Sequence, residues 1–386
     1  MNVFVDNLAA CVYGLSCGGI MIDQSLLNPF GVPREDELPH AAHALKNWTE
    51  YCYFLGFDPK VGTGITIHIG REPTDTRIWR GTLGIFVPGG EELLVAKYFG
   101  RDGNDRGPGA GPLQVRCLEP MQLWSVEFDG LAERVTRSAI MNDVHKDSPA
   151  ELAKFYLLFE AAAPLWDLGR AGIADQMVLV TDEVSAEVKA KSHMNHWEQI
   201  CRVRGSVTIG GKTYELDGAG VRDHSHGPRD YTAIIGNRWS NMVFPSGKAL
   251  MTMATRVGTN FIIGGYIYRN DGSPLEVIKL LEYPFVADLD TPHRSIAADP
   301  LADASVRKFG MVIQTKRGQE EITGEILHAM GTTYLKPNFE LVGTDIARIK
   351  GGSQLAECPA VFKWDGEIGM GMTERIAMME HLRRTE

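Results

Sequence analysis

Over much of this chain, apolar and polar residues alternate with a period of two, which is the pattern of β-strands that bury one face. The clearest case is the range 201–209, CRVRGSVTI, where apolar residues and glycine alternate with arginine, serine and threonine. Gly210 and Gly211 follow, and glycine readily adopts the positive φ angles of a tight hairpin turn. We therefore predict a β-hairpin. Its second strand passes Gly218 and Gly220, where we predict a kink or a bulge.

The same signals recur in both halves of the chain, as short strands separated by turns that carry glycine. They predict strands over 65–69, 78–87, 93–98, 113–117 and 123–128, and hairpins over 242–257, 261–283 and 306–327. This spacing is typical of sandwiches and barrels, and a duplicated antiparallel barrel is the economical interpretation. Two segments fit either a helix or a strand. They are the aromatic-rich range 41–57 and the range 148–159, where a capping box competes with alternating apolar residues.

Most of the candidate chemistry lies in the range 193–239, which holds four histidines, several acids and two tryptophans. If the returning strand of the hairpin continues to its end, Asp223 faces one side of the sheet while His224 and His226 face the other. Pro228 has no N–H to donate to a β-ladder. We therefore place this cluster at a strand end, on the rim of the sheet.

Several motifs together resemble the carotenoid 1,2-hydratase and AttH-like superfamily, which includes kievitone-hydratase-like enzymes, tocopherol-cyclase-like enzymes and lipocalin-like Diels-Alderases. The motifs are HWEQ at 196–199, the hairpin at 207–214, RDHSHGPRD at 222–230 and GMGMTE at 369–374. The resemblance is good over about 186 to 376 and faint over 38 to 185. Members of the superfamily usually have an aromatic residue where His226 stands, in a DHxWG arrangement.

The resemblance implies two tandem lipocalin-like β-barrels, a cavity for a hydrophobic ligand and no organic cofactor. The expected fold is therefore mostly β, with few short helices. We divide the chain into an N-terminal extension (1–37), an N-terminal lipocalin-like domain (38–185) with a helical linker near its end, and a C-terminal lipocalin-like domain (186–386) that carries the RDHSHGPRD motif.

The acidic and imidazole groups of this motif suggest acid-base catalysis. Hydrating an alkene, eliminating water or cyclising a polyene needs a proton donor, a dry pocket and a group that stabilises positive charge. A buried Asp223 would keep its proton, because desolvation raises the pKa of a carboxyl group. His224 would orient that carboxyl or relay the proton, and His226 would hold a water molecule.

The residues that we predict to support catalysis or bind substrate are His196, Trp197, Glu198, Arg229, Asp230, Tyr231, Trp239 and Glu374. The predicted protein is a hydratase, dehydratase, cyclase or isomerase. Its substrate is a hydrophobic terpenoid or phenolic compound, and it uses no cofactor.

Two other functions would use the same residues. His224 and His226 have the spacing of a metal site on one strand face, with His193 or His196 as a third ligand. A carrier of a lipophilic ligand is the non-catalytic alternative, because lipocalin barrels often bind such molecules. A carrier has little reason to aim Asp223 and both histidines into its cavity, so the direction of these side chains distinguishes a carrier from an enzyme.

Structural roles are also open for several of these side chains. Arg222, Arg229 and Asp230 would form an ion-pair network at the strand end. Asp223 would accept backbone N–H groups in a turn, and Glu374 would buttress an arginine.

The composition excludes several other classes of function. The 386 residues carry a formal net charge of −10, which disfavours a nucleic-acid partner. No phosphate loop or dinucleotide fingerprint accompanies the glycine-rich range 100–109, and no G-x-S-x-G elbow surrounds Ser225.

The cysteines and the apolar runs bear on location. The six cysteines are scattered without a close CxxC pair, which favours free thiols in a reduced compartment. The sequence shows neither a signal peptide nor an apolar run long enough to cross a membrane. We predict a cytoplasmic protein without stable membrane insertion; its oligomeric state stays open, with a homodimer as one alternative.

Overall fold

A computed structural model of the chain describes residues 24–41, 48–101, 103–141, 148–169, 178–179, 195–228, 234–258, 260–286, 289, 296–335, 339–343 and 351–383. The first strands in chain order are β1 (Trp48–Asp58), β2 (Thr63–Glu72), β3 (Asp75–Phe86), β4 (Glu92–Gly100), β5 (Gly109–Ala110), β6 (Leu113–Glu119), β7 (Leu123–Thr136), β8 (Ala150–Ala161), β9 (Trp166–Asp167), β10 (Val178–Leu179), β11 (Asn195–Ile209) and β12 (Lys212–Pro228).

The remaining strands are β13 (Ile234–Val243), β14 (Ala249–Val257), β15 (Asn260–Tyr268), β16 (Glu276–Glu282), β17 (Ile296–Ala297), β18 (Lys308–Thr315), β19 (Gly318–Ile326), β20 (Met330–Leu335), β21 (Phe339–Val342), β22 (Ser353–Trp364), β23 (Glu367–Met378) and β24 (Leu382–Arg383). The helices are α1 (Gln24–Leu27), α2 (Arg137–Met141) and α3 (Ala304–Arg307), with 3₁₀ turns at Arg34–Glu37 and Met379–His381. None of the helices in the described ranges is long and apolar enough to cross a membrane.

The strands form two large antiparallel sheets, and each sheet closes into a barrel of eight strands. The first barrel has the order β1, β2, β3, β4, β7, β8, β11 and β12, and β12 pairs with β1. The second has the order β13, β14, β15, β16, β18, β19, β22 and β23, and β23 pairs with β13. The predicted fold class, mostly β with two tandem lipocalin-like barrels, is confirmed.

The chain divides between the barrels at a different point from the predicted domain boundary. A boundary between residues 185 and 186 assigns β11 and β12, with the RDHSHGPRD motif, to the second domain. In the structure both strands belong to the first barrel, where β12 pairs with β1 from Trp48–Pro228 to Phe57–Ala219. The second barrel begins with β13. The first and last strands of a closed barrel pair across the whole length of its sequence, and such a pairing leaves no trace in a local pattern.

Both segments that fit either a helix or a strand form strands where the structure describes them. Residues 48–57 belong to β1 and residues 150–159 to β8, so the helical alternative for the range 148–159 is wrong. In β8, Phe155, Leu157 and Phe159 are fully buried in the core of the first barrel. Burial of an alternating apolar face therefore outweighs the local capping signal.

The predicted β11–β12 hairpin is confirmed, with Gly210 and Gly211 at φ 55° and 80° in its turn. The predicted kink at Gly218 and Gly220 is wrong, because the pairing passes both positions without a shift of register. Glycine is required there for another reason: the backbone of β1 lies so close that a Cβ at Gly220 would be 1.8 Å from the carbonyl oxygen of Leu55.

Apolar side chains fill both barrels and also the contact between them. One cluster occupies the first barrel and a second cluster the second barrel. A third cluster joins residues from both barrels, among them Tyr53, Trp166, Ile200, Trp239 and Tyr266. The strands at this contact therefore bury both of their faces, so polar side chains on either face must find partners inside the protein.

The cysteines that the structure describes agree with the prediction of free thiols. Cys52, Cys117, Cys201 and Cys358 are buried and form no disulfide with one another. Cys11 and Cys17 lie outside the described residues.

The substitution Gly220→Ala tests the close approach of β1 and β12. We expect the free energy of unfolding to fall by about 2 kcal/mol or more, because the added methyl group displaces the backbone of β1. Denaturant unfolding measures this change. Gly310→Ala in β18 is the matched control, since the nearest atom to a Cβ there is 3.9 Å away. Equal stability of the two variants would contradict the packing described for β12.

Candidate active site

β12 places the three predicted catalytic residues on two different surfaces. Successive side chains of a strand point to opposite faces, so His224 and His226 point into the first barrel while Asp223 points towards the second. His224 contacts Glu50 inside the first barrel, whereas Asp223 acts electrostatically on Glu374 of the second. The alternation is as predicted. The predicted orientation of Asp223 by His224 is wrong, because the two side chains share no site.

Inside the first barrel, a buried ion pair joins the N-terminal segment to β12. The carboxylate of Glu37 accepts hydrogen bonds from Nη1 and Nη2 of Arg222 at 3.0 and 2.7 Å. The indole N–H groups of Trp197 and Trp124 donate to the same carboxylate at 2.6 and 3.2 Å. Burial would raise the pKa of Glu37, but Arg222 outweighs burial and lowers it. Trp197, a predicted substrate-binding residue, is thus part of this buried network.

His224 and His226 belong to a second group in the same barrel, which we call the histidine cluster: His40, Glu50, His224 and His226. Nδ1 of His40 and Nε2 of His224 lie 2.8 and 3.1 Å from Oε1 of Glu50. Arg71 donates to the other oxygen at 3.1 Å, and the rings of His40 and His226 stack with their centroids 3.8 Å apart.

The protonation of the histidine cluster follows from these contacts. Burial would raise the pKa of Glu50, but its hydrogen bonds with His224 and His40 lower that pKa well below its ordinary value. Burial and the neighbouring His40 and His224 lower the pKa of His226 to about 4. At neutral pH, Glu50 is therefore a carboxylate and His226 is neutral.

Between the barrels, four carboxyl groups converge, and we call them the inter-barrel acid cluster: Glu198, Asp223, Glu357 and Glu374. Glu198 is paired in register with Asp223 across β11 and β12, and Glu357 with Glu374 across β22 and β23. Asp223 acts electrostatically on both Glu198 and Glu374. The acids of the two barrels therefore form one electrostatic site.

Hydrogen bonds from both barrels hold the second-barrel acids of this cluster. The hydroxyl of Tyr53 donates a short hydrogen bond to Oε2 of Glu357, and Nε2 of His68 lies 2.9 Å from Oε1 of the same residue. The side-chain amide of Asn237 donates to Glu374 at 2.7 Å. The first barrel thus contributes a tyrosine and a histidine to a carboxylate of the second.

Burial favours the protonated form of two of the four acids. Desolvation raises the pKa of Glu198 well above its ordinary value. Desolvation and the neighbouring Glu357 raise the pKa of Glu374 to about 8. Burial alone would lower the pKa of His68, but Glu340 and Glu357 raise it to about 9. Glu198 and Glu374, whose raised pKa values favour the protonated form, therefore lie in the same site as His68 and the carboxyl group of Glu357, so that one group can donate a proton while another accepts one.

The other predicted residues lie mostly around the inter-barrel acid cluster. Trp239 is paired in register with Glu374, and its ring centroid lies 5.9 Å from that of Tyr53. Nε2 of His196 is 3.9 Å from a carboxylate oxygen of Glu198. The predicted residues Arg229, Asp230 and Tyr231 lie outside the described residues.

Three members of the site were not predicted from the sequence: Tyr53, His68 and Glu357. His68 interrupts a run of isoleucines in β2, and Glu357 lies in a largely apolar stretch of β22. A charged residue within an apolar strand is the available signal, because burying it requires a partner. The partners themselves have no local signal, since Tyr53 and Glu357 are 304 residues apart.

The histidine cluster also offers a set of donors that suits a metal ion. One ligand atom each from His40, Glu50 and His224 lie within 4.8 Å of one another. Two imidazoles and one carboxylate can bind a divalent transition metal. This set shares only His224 with the predicted metal site, because His226 stacks on His40 instead.

Comparisons with known proteins identify the family. A family model described as "Domain of unknown function (DUF7064)" matches residues 33–378, so the chain belongs to this family. No curated protein matches the chain.

Solved structures resemble this fold. An AttH-like protein from Nitrosomonas europaea is 15% identical, with a TM-score of 0.50 over 87% of this chain and 97% of that chain. Kievitone hydratase from Nectria haematococca is 10% identical, with a TM-score of 0.45 over 87% of this chain and 93% of that chain. CghA with Sch210972 is 8% identical, with a TM-score of 0.45 over 86% of this chain and 89% of that chain. The chain shares its fold with the AttH-like protein, as the resemblance of its sequence motifs predicts.

The substitution Glu374→Gln tests the raised pKa of this carboxyl. Folded wild type retains a proton that the unfolded chain releases above its ordinary pKa of 4.5. The stabilisation from Glu374 is therefore complete below about pH 4.5 and is lost as the pH rises to about 8. We expect wild type to lose about 1 kcal/mol per pH unit relative to the glutamine variant in this window. Denaturant unfolding at a series of pH values measures the difference, and a difference that does not change with pH would contradict the raised pKa.

Proposed function

We propose that this protein is a cofactor-independent acid-base enzyme of the hydratase, dehydratase, cyclase or isomerase type. Its substrate is a hydrophobic small molecule such as a terpenoid or a phenolic compound. The observation that carries the proposal is the inter-barrel acid cluster, where Glu198 and Glu374 have raised pKa values beside the His68–Glu357 pair. Protonating a carbon–carbon double bond needs a strong donor in a dry site, and a buried neutral carboxyl group is such a donor.

The proposed roles follow from the protonation states. Glu198 or Glu374 donates a proton to one carbon of the double bond, and a water molecule adds to the other carbon. That water keeps one proton in the new hydroxyl and loses the other to a carboxylate of the cluster; Asp223, which lies across from Glu198 in the sheet, is the proposed acceptor, and return of this proton to the donor acid restores the enzyme. Dehydration is the same sequence in reverse. The ring of Trp239 would stabilise a developing carbocation by roughly 0.5 to 2 kcal/mol.

We place the substrate at the contact between the barrels rather than in a barrel interior. Packed apolar side chains occur in both interiors and at the contact, but the contact also brings Glu198 and Glu374 together with the rings of Tyr53 and Trp239. Because Asp223 is separated from His224 and His226, the direction of these three side chains does not distinguish an enzyme from a carrier. The inter-barrel acid cluster favours an enzyme over a carrier, because binding an apolar ligand does not require four carboxyl groups.

We also propose a cytoplasmic location, in keeping with the four free, buried cysteines among the described residues.

The test begins with protein purified from its own host, whose bound small molecules are extracted and identified by mass spectrometry. The compound is then incubated with enzyme in deuterated water, and we expect product that carries deuterium on the protonated carbon. Glu198→Gln and Glu374→Gln should each lower the rate about 100-fold or more, because a general acid contributes about 10²–10⁴-fold. Glu325→Gln on the exterior of the second barrel is the matched control. A compound that binds but is unchanged by wild type would identify a carrier, and full activity in both cluster variants would reject the assigned acids.

A metal-dependent enzyme is a second candidate, favoured by the donor atoms of His40, Glu50 and His224. If the histidine cluster holds an ion, elemental analysis of protein from its own host should find a stoichiometric transition metal, and His40→Ala should lose it. His381→Ala, at a partly exposed histidine that pairs with Glu380, is the control. A substoichiometric content in wild type would reject this candidate.

A further inference from the structure

Two arginines lie side by side within the second barrel and have no acidic partner among the described residues. Arg238 on β13 is paired in register with Arg375 on β23, and the two residues are 5% and 2% exposed. The next residues along these strands, Trp239 and Glu374, point the other way, towards the first barrel. The arginine pair is therefore separated from the inter-barrel acid cluster by the thickness of the sheet.

The contacts of the two guanidinium groups leave several N–H donors unused. Arg238 lies over the ring of Phe309, 3.5 Å from its centroid, and donates long bonds of 3.4 Å to Thr373 and to the carbonyl oxygen of Pro284. Its Nη2 has no hydrogen-bond partner in the described part of the chain. Arg238 can therefore donate a further hydrogen bond to a ligand through Nη2.

Arg375 has more hydrogen-bond donors without a partner among the described residues than Arg238 has. It lies over the ring of Phe285, 4.4 Å from its centroid, and donates through Nη2 to the carbonyl oxygen of Ala297 at 3.2 Å. Its Nε and Nη1 have no hydrogen-bond partner in the ranges that the structure describes. Three buried donor atoms on two cations are thus available to a ligand.

The surrounding charges do not neutralise this pair. Within the described ranges, no carboxylate forms an ion pair with Arg238 or Arg375. The acid that acts on Arg375 is Asp299, and it is already joined to Arg137 by a short ion pair. Burial and mutual repulsion lower the pKa of Arg238 to about 9, and burial lowers that of Arg375 to about 10.

Unpaired buried cations are costly, because each loses its hydration without gaining an opposite charge. An oxyanion removes this cost. The planar guanidinium fork matches the oxygens of a carboxylate or a phosphate, and a ring stacked on its face leaves the N–H edge free to bind. The arrangement therefore has the features of an anion site: positive charge, burial and hydrogen-bond donors that the described residues leave unused.

We propose that Arg238 and Arg375 form an oxyanion-binding site inside the second barrel, which takes the carboxylate or phosphate group of a ligand. The site does not depend on the proposed catalytic function, because it lies on the opposite face of β13 and β23.

Thermal unfolding in the presence of added anions tests the site. The protein is prepared in chloride buffer, and sodium phosphate or sodium acetate is added at constant ionic strength. A ligand that binds only the folded state raises Tm with its concentration, so we expect a rise for wild type that is mostly absent in Arg375→Met and Arg238→Met. Arg317→Met, in an exposed turn of the same barrel, is the control for general salt effects and should respond like wild type. The anion that gives the larger rise identifies the chemical group.

Two further results complete the test. In buffer without the oxyanion, Arg375→Met should be at least as stable as wild type, because it removes a buried cation that no carboxylate of the described residues pairs with. Native and denaturing mass spectrometry of wild type detects an anion that is already bound and does not exchange, and this anion should be missing from either methionine variant. An equal rise in Tm for wild type and both variants, together with no bound anion in wild type, would overturn the proposal.

Discussion

Two closed barrels packed against each other force the strands at their contact to bury both faces, and the rest of this structure depends on that constraint. Where β1, β12, β13 and β23 line this contact, most polar side chains are buried, so each must be paired, hydrogen-bonded or neutralised by protonation. Inside the first barrel the solution is pairing, as Glu37 with Arg222 shows. Between the barrels, Glu340, Glu357 and Glu374 act on His68, and the raised pKa values of Glu198 and Glu374 favour protonation, which reduces the excess negative charge.

The same constraint gives β13 and β23 opposite electrostatic character on their two faces. Glu374 faces the first barrel among acids, while the adjacent Arg375 faces the interior of the second barrel beside Arg238. On each face, the charged side chains of one sign outnumber the described side chains of the opposite sign that contact them. On the acid side the excess is removed by taking up protons. Arginine does not lose its proton in proteins, which is why the cationic side calls for a bound anion instead.

The sequence predicts the fold well and the site only in part. Period-two alternation is a local property, so it predicts the strands, the β11–β12 hairpin and the opposite directions of Asp223 and His224. The partner of each strand is a long-range property, and for that reason the predicted boundary places β12 in the wrong barrel. Tyr53 and His68 join Glu357 only because the two barrels meet there. The RDHSHGPRD motif thus indicates the correct strand, β12. The prediction from it, however, places Asp223 and His224 in one site although they lie on opposite faces of that strand. Neither membership of a family of unknown function nor a shared fold determines the chemistry, which must be inferred from clusters of side chains such as these.

The central claim is that Glu198 and Glu374 hold protons at neutral pH, and infrared spectroscopy measures this most directly. The carbonyl stretch of a protonated carboxylic acid is distinct from the bands of a carboxylate. Difference spectra at pH 7 between wild type and each of Glu198→Gln and Glu374→Gln should show the loss of one protonated-acid band per variant. Spectra in which each variant instead loses carboxylate bands would mean that both side chains are ionised, and would contradict the assignment of these two residues as proton donors.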